Sequence, residues 1–270
     1  MTYKTILVHV DNGKFCPARL NMAIDLARRF ESHLVGLHAL TAVRLPAYAI
    51  AEAGATLLEA QKTVAREQAS RAKKLFTASI KGAGLASTEW RVSSDDAADA
   101  MTLHARYADL IVLGQSRERD GSGVESDFAE RVILAAGRPV LMVPYAGKFE
   151  GVGKRVLVAW DTGREATRAV TDSIPLLREA EQVHVVAFNP EGTAHGAVPG
   201  ADIGLYLARL ATGRLEGKIE FRATPEKYTE FLLKLPLDLG PLLAYRREQE
   251  RIRDFERKGL VTRQTVLSKF

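Results

Sequence analysis

The 270-residue chain has one cysteine, Cys16, so no intrachain disulfide can form, and a cytoplasmic setting is the expectation. No apolar run approaches the ~20 residues that a membrane-spanning helix needs. The apolar part of the opening MTYKTILVHVD is too short for a signal peptide and reaches an aspartate at once. Tryptophan is scarce: Trp90 and Trp160 stand alone and read as core or edge packing. The histidines (His9, His33, His38, His104, His184 and His195) show no metal-ligand spacing. His9, His38 and His184 fall in strand patterns, where packing is the plainer role. No G-x-S-x-G, H-E-x-x-H or Walker loop is present, which removes the usual hydrolase, zinc-protease and P-loop signatures.

Apolar residues make up 46% of the chain and charged residues 26%, enough for two domains each to bury a core. The net charge of +5 is uneven: residues 209–270 carry 14 Lys and Arg against 9 Asp and Glu, an excess equal to the whole. Basic character therefore belongs to the C-terminal segment. In the stretch RREQERIRDFERK (246–258) the signs alternate at helical spacing, as on a salt-bridged surface helix. That pattern fits a solvated face better than a nucleic-acid groove.

The chain repeats itself. Residues 4–11 read KTILVHVD and residues 154–161 read KRVLVAWD, each an apolar strand ending in an acid (Asp11, Asp161) and followed by a helical pattern and a second apolar run. The first unit, residues 1–148, alternates strand and helix throughout. Strands are expected at 4–10, 33–40, 89–92, 108–114 (ADLIVLG) and 138–144 (RPVLMVP). Helices are expected after Pro17, over 57–80, from a cap at Ser94 or Asp95 to about Tyr107, and from Glu125 to Ala136. Residues 41–55, with Pro46 and Gly54, read as a loop or lid, and Cys16 falls in a polar loop, where an unreactive thiol is the plainer reading and an exposed reactive one the alternative. Right-handed crossovers make this an open, doubly wound parallel sheet with a crevice at the carboxyl ends of its first and fourth strands.

The second unit, residues 149–270, follows the same pattern over 151–210 and then departs from it. Strands at 154–161 and 182–189 flank a helix at 164–180, and 200–210 opens another helix. No second ADLIVLG or RPVLMVP follows. Residues 211–270 offer instead a strand at KIEF (218–221), LPLDLGP (235–241) and a charged helix from Leu242 to Lys258. If both units descend from one copied module, the opening strand of each should lie mid-sheet.

The set KTILVHVD, ADLIVLG, AERVILAAGRPVLMVP and KRVLVAWD resembles the universal stress protein family in its tandem form. The resemblance implies a flavodoxin-like, Rossmann-like open parallel sheet of order 3-2-1-4-5, duplicated with an incomplete second copy. It also implies a cytoplasmic stress-response role and a homodimer formed through the last strand. In the ATP-binding branch it implies a nucleotide held by G-x2-G-x9-G-[ST] after the fourth strand. Gly114 matches the first glycine, and the second falls on Arg117. The final pair falls on Asp127-Phe128, or on Ser126-Asp127 when aligned on the AERV helix. A side chain at Arg117 and a carboxylate at Asp127 both oppose a bound triphosphate.

Asp11 and Asp161 match the acid that meets adenine in that branch; the local alternative is that each caps its own loop. The weak nucleotide crevice is therefore Asp11, Gly114, Arg117, Ser126 and Asp161. The expectation is a protein without catalysis, cofactor or metal that works through dimerisation and protein contacts. The alternative is a switch or weak ATPase that uses ATP with Mg. An adenylating enzyme is disfavoured by the loop DNGKF after the first strand.

Overall fold

The near-continuous apolar run at the N-terminus forms strand β1 (Thr5–His9), at the centre of a five-stranded sheet whose strands, numbered along the chain, take the order 3-2-1-4-5. The computed structural model describes residues 2–40, 47–115, 120–149, 151–188, 203, 219–224 and 228–234. The other elements of this sheet are α1 (Cys16–Arg29), β2 (His33–Ala39), α2 (Ala47–Ile80), β3 (Ser87–Ser93), α3 (Ala97–Ala105), β4 (Leu110–Gly114), α4 (Phe128–Ala135) and β5 (Val140–Val143). Every strand pair is parallel, with Val8 opposite Gly36 on one side and Val112 on the other. Central parallel strands are covered on both faces, which is why β1 and β4 carry continuous apolar runs (Ile6–Val8, Leu110–Leu113) rather than alternating. Helices α1 and α2 pack together, as do α3 and α4. The α3/α4 side of the core joins Leu7, Val35 and Leu37 to Met101 and Val132.

Two local expectations change. Residues 47–55 are helical, because the alanine-rich stretch extends α2 and its helix propensity outweighs Gly54; residues 41–46 lie outside the described residues. Asp96, not Ser94 or Asp95, caps α3, its side chain accepting from the N–H groups of Ala98 and Asp99. Asp95 is engaged instead by the Ser93 hydroxyl at 2.7 Å.

The chain divides into two compact units, Met1–Val152 and Gly153–Phe270. In the second, β6 (Arg155–Ala159), α5 (Arg164–Leu177) and β7 (Gln182–Phe188) form the expected parallel β-α-β unit. The next strands, β8 (Ile219–Thr224) and β9 (Tyr228–Lys234), form an antiparallel hairpin that pairs with β7, giving the order β6-β7-β9-β8. Strand β8 extends the expected KIEF segment, whereas β9 was not anticipated.

The expectation of a mid-sheet opening strand is met by β1 and not by β6, which among the described residues lies at the end of its sheet, so the second unit does not meet the condition for a copied module. The physical reason lies in the chain after β7. A hairpin needs no crossover helix and can add to the free side of β7 directly. The expected helix over 200–210 (Ile203 apart), LPLDLGP and the helix over 242–258 lie outside the described residues. No helix among the described residues is long and apolar enough to cross a membrane.

Candidate functional site

The crevice expected at the carboxyl ends of β1 and β4 is occupied from within. Asp11 follows β1 and is 3% exposed. One carboxylate oxygen accepts the Gly13 N–H at 2.8 Å, and the other accepts from Nη2 of Arg19 at 2.6 Å. Arg19 projects from the first turns of α1 and is itself 5% exposed. Its Nε donates to the His9 carbonyl at 2.7 Å, so the guanidinium ties the end of β1 to α1. Its Nη1 lies against Gly114, where any Cβ would run into it. The glycine that aligns with the first of the phosphate motif is therefore required by Arg19.

The electrostatics follow from this burial. Burial alone would raise the Asp11 carboxyl, but the Arg19 guanidinium, with His9 and the Gly13 N–H, outweighs it and holds the carboxyl below its ordinary value. Burial drives His9 down to about 3, against a smaller upward pull from Asp11, so its imidazole is neutral at pH 7. Its Nδ1 stands 3.4 Å from Asp11 and its ring 4.8 Å from that of Phe128. Cys16 is a correction to the exposed-thiol reading. It is the first residue of α1, 1% exposed, and burial pushes its thiol up, away from the reactive thiolate.

The segment after β4 closes what remains. The Asp120 carbonyl accepts the Lys14 N–H, and Ser122 lies beside Gly13. Between these groups a cavity of about 10 Å³ is left, lined by Asp11, Cys16, Arg19 and Gly114 among others. That is room for about one water molecule. A larger cavity of about 330 Å³ opens beneath α2, lined by Asn12, His38, Gln68, Arg71 and the 121–123 segment. His38 is 4% exposed; its Nδ1 is 2.8 Å from the Val10 carbonyl and so carries the proton. Its buried Nε2 is then an acceptor without a partner, an arrangement that costs about 1–3 kcal/mol.

The other expected site residues are not gathered here. Arg117 lies outside the described residues. Ser126 is exposed in the turn before α4 and lines neither cavity. Asp161 is exposed in the second unit, where it accepts the Gly163 N–H at 2.7 Å. That is the local capping role. Ala169 stands where the Asp11–Arg19 spacing would call for an arginine.

Nothing in the sequence singles out Arg19, which sits among ordinary α1 positions. The nearest signal is a basic residue on the inward side of a helix directly after an acid-terminated strand. Among the described residues no group of three or more His, Cys, Asp or Glu is placed to hold a metal.

The sequence profile of the universal stress protein family matches residues 2–144. Among solved structures, the chain is similar to a universal stress family protein from Burkholderia pseudomallei, at 26% identity over 53% of this chain and 96% of that one, with a TM-score of 0.37. It is similar to UspA from Lactobacillus plantarum at 25% identity over 53% and 99%, TM-score 0.37. A third is the Archaeoglobus fulgidus universal stress protein in complex with dAMP, at 26% identity over 53% and 98%, TM-score 0.34. No curated protein matches the chain.

Proposed function

Because the chain belongs to the universal stress protein family, we propose that it is a cytoplasmic stress-response protein that works without catalysis, through contacts with a second copy and with protein partners. On this reading its triphosphate cradle has been given up. The observation that carries it is the Arg19 guanidinium, paired with buried Asp11 and lying on Gly114. A nucleotide needs bare backbone at that glycine and a free carboxylate at that aspartate. Both are taken, and the space left is water-sized.

The two edges of the first sheet support the dimer. On β3, Glu89 and Arg91 pair at 2.8 Å, a charged edge of the kind that discourages added strands. On β5, Val140, Leu141 and Met142 are half-buried and uncharged, and Tyr145 just beyond is 38% exposed. A second copy pairing there would cover that apolar edge.

The test is the melting temperature of the full chain with and without millimolar Mg-ATP. No change is expected. A rise of several degrees would overturn the reading and restore the nucleotide switch or weak ATPase.

A further inference from the structure

The loop DNGKF after β1 holds the dipeptide Asn12-Gly13, and the proposed function makes no use of it. We infer that Asn12 is a site of spontaneous deamidation in the folded protein, turning to aspartate and isoaspartate and loosening α2 from the first sheet. The chemistry needs an asparagine side chain that the next backbone nitrogen can reach. Glycine at that next position puts no side chain in the way and leaves the backbone free to turn toward Asn12. The chain has three asparagines, and the other two are closed to this step. Asn21 lies inside α1, whose hydrogen-bonded backbone holds the following nitrogen away from its side chain. Asn189 precedes Pro190, whose nitrogen carries no proton.

Position and access agree. Asn12 is exposed and belongs to no helix or strand. Its side-chain amide donates to the Gln68 carbonyl at 3.1 Å, and the Gly13 N–H donates to Asp11 at 2.8 Å. Each is a single bond within a loop, so local opening releases both without melting a helix or strand. The step balances with water alone. The Gly13 nitrogen loses its proton to hydroxide and bonds to Cγ of Asn12. The Cγ–Nδ2 bond breaks, and ammonia leaves with a proton taken back from water. Water then opens the cyclic imide. Breaking its bond to Cγ gives aspartate, whereas breaking its bond to the main-chain carbonyl of residue 12 gives isoaspartate. One water enters and one ammonia leaves.

Neither product fits the junction. Both replace the donor to Gln68 with a carboxylate, so the tie between the loop after β1 and α2 is lost and a carbonyl faces a negative charge. Isoaspartate also lengthens the main chain where there is no slack. A Cβ on Gly13 would stand 2.9 Å from the Asp11 carboxylate and 3.1 Å from Cα of Ser122.

The experiment is incubation of the folded full chain at neutral and at mildly alkaline pH. Tritiated-methyl labelling with an isoaspartyl methyltransferase and peptide mapping then read the product, with a urea-unfolded sample as the reference for the unrestrained dipeptide. Label is expected in the peptide holding Asn12, several-fold faster at the alkaline pH. Asp120-Gly121, where water rather than ammonia would leave, is resolved from it by the mapping. Asn12→Gln keeps the amide at an exposed position but closes a larger ring far more slowly, and should remove the label there.

Label at residue 12 confined to the unfolded sample, or unchanged by Asn12→Gln, would overturn the site. The charge-shifted product, separated from the parent by ion exchange, should be cut by trypsin within α2 several-fold faster than the parent. Equal cutting would overturn the loosening.

Discussion

At the scale of single residues, the Arg19–Asp11 pair is the feature on which the site turns. Two buried charges that satisfy each other are tolerated, whereas one left alone is not. Arg19→Met should therefore destabilise the protein by about 3–5 kcal/mol in urea unfolding, because Asp11 loses its cation. The double variant Asp11→Asn with Arg19→Met should cost less than the sum of the singles. Gly114→Ala should cost about 1–3 kcal/mol by overpacking against the guanidinium, without any ligand present. If Gly114 served a phosphate instead, its alanine variant would unfold like the parent.

His9 gives the pH dependence. Its ordinary value of 6.5 applies in the unfolded chain and about 3 in the folded one. Between those values the unfolded state binds the extra proton, so stability falls as pH drops, by about 1.4 kcal/mol per pH unit inside the window. Asp11 works in the same direction at lower pH: its contribution is complete above 3.8 and disappears as pH falls through its depressed folded value. Unfolding free energies at pH 7, 5.5 and 4.5 check this. His9→Val should flatten the slope, and an unchanged slope would mean that His9 is charged in the folded state.

At the scale of elements, α3 and α2 show how local chemistry and packing share the work. Asp96 caps α3 with two N–H bonds and also pairs with Arg131 of α4 at 2.8 Å. Asp96→Ala should cost about 1–2 kcal/mol by thermal or urea unfolding, most of it the lost cap. The Arg131 pair is partly exposed and adds little. Helix α2 docks differently. Gly36 on β2 leaves room for the Phe76 ring, which would otherwise stand 2.6 Å from a Cβ. Phe76 also meets Trp90 at 5.4 Å, so Trp90 is a packing residue, as expected. Ser94, Asp95 and Asp96 are all good cap residues, so their identity alone does not single out Asp96. Choosing among them needs the backbone geometry.

For the whole molecule, the two units differ in how they complete a sheet. The first has five parallel strands and helices on both faces, which is a self-sufficient core. Limited proteolysis should leave a stable fragment ending near residue 150, and that fragment should sediment as a dimer if β5 is the pairing edge. Rapid loss of the first unit instead would show that its core depends on the rest of the chain. The second unit shares the opening β-α-β with the first, and its sheet then takes the β8–β9 hairpin, with β6 at an edge among the described residues.

The first unit's strand and helix order, its parallel sheet and its family were legible in the sequence because each rests on periodicity within short segments. An apolar run of strand length followed by a helical repeat can be read without knowing what it touches. The state of the crevice could not be read that way. Asp11, Arg19 and Gly114 come from a strand end, a helix and another strand end, and only the closed sheet brings them within hydrogen-bonding reach. The antiparallel hairpin of the second unit was hidden for the same reason, since pairing partners of β7 are chosen by which edge is free, not by the pattern within either strand.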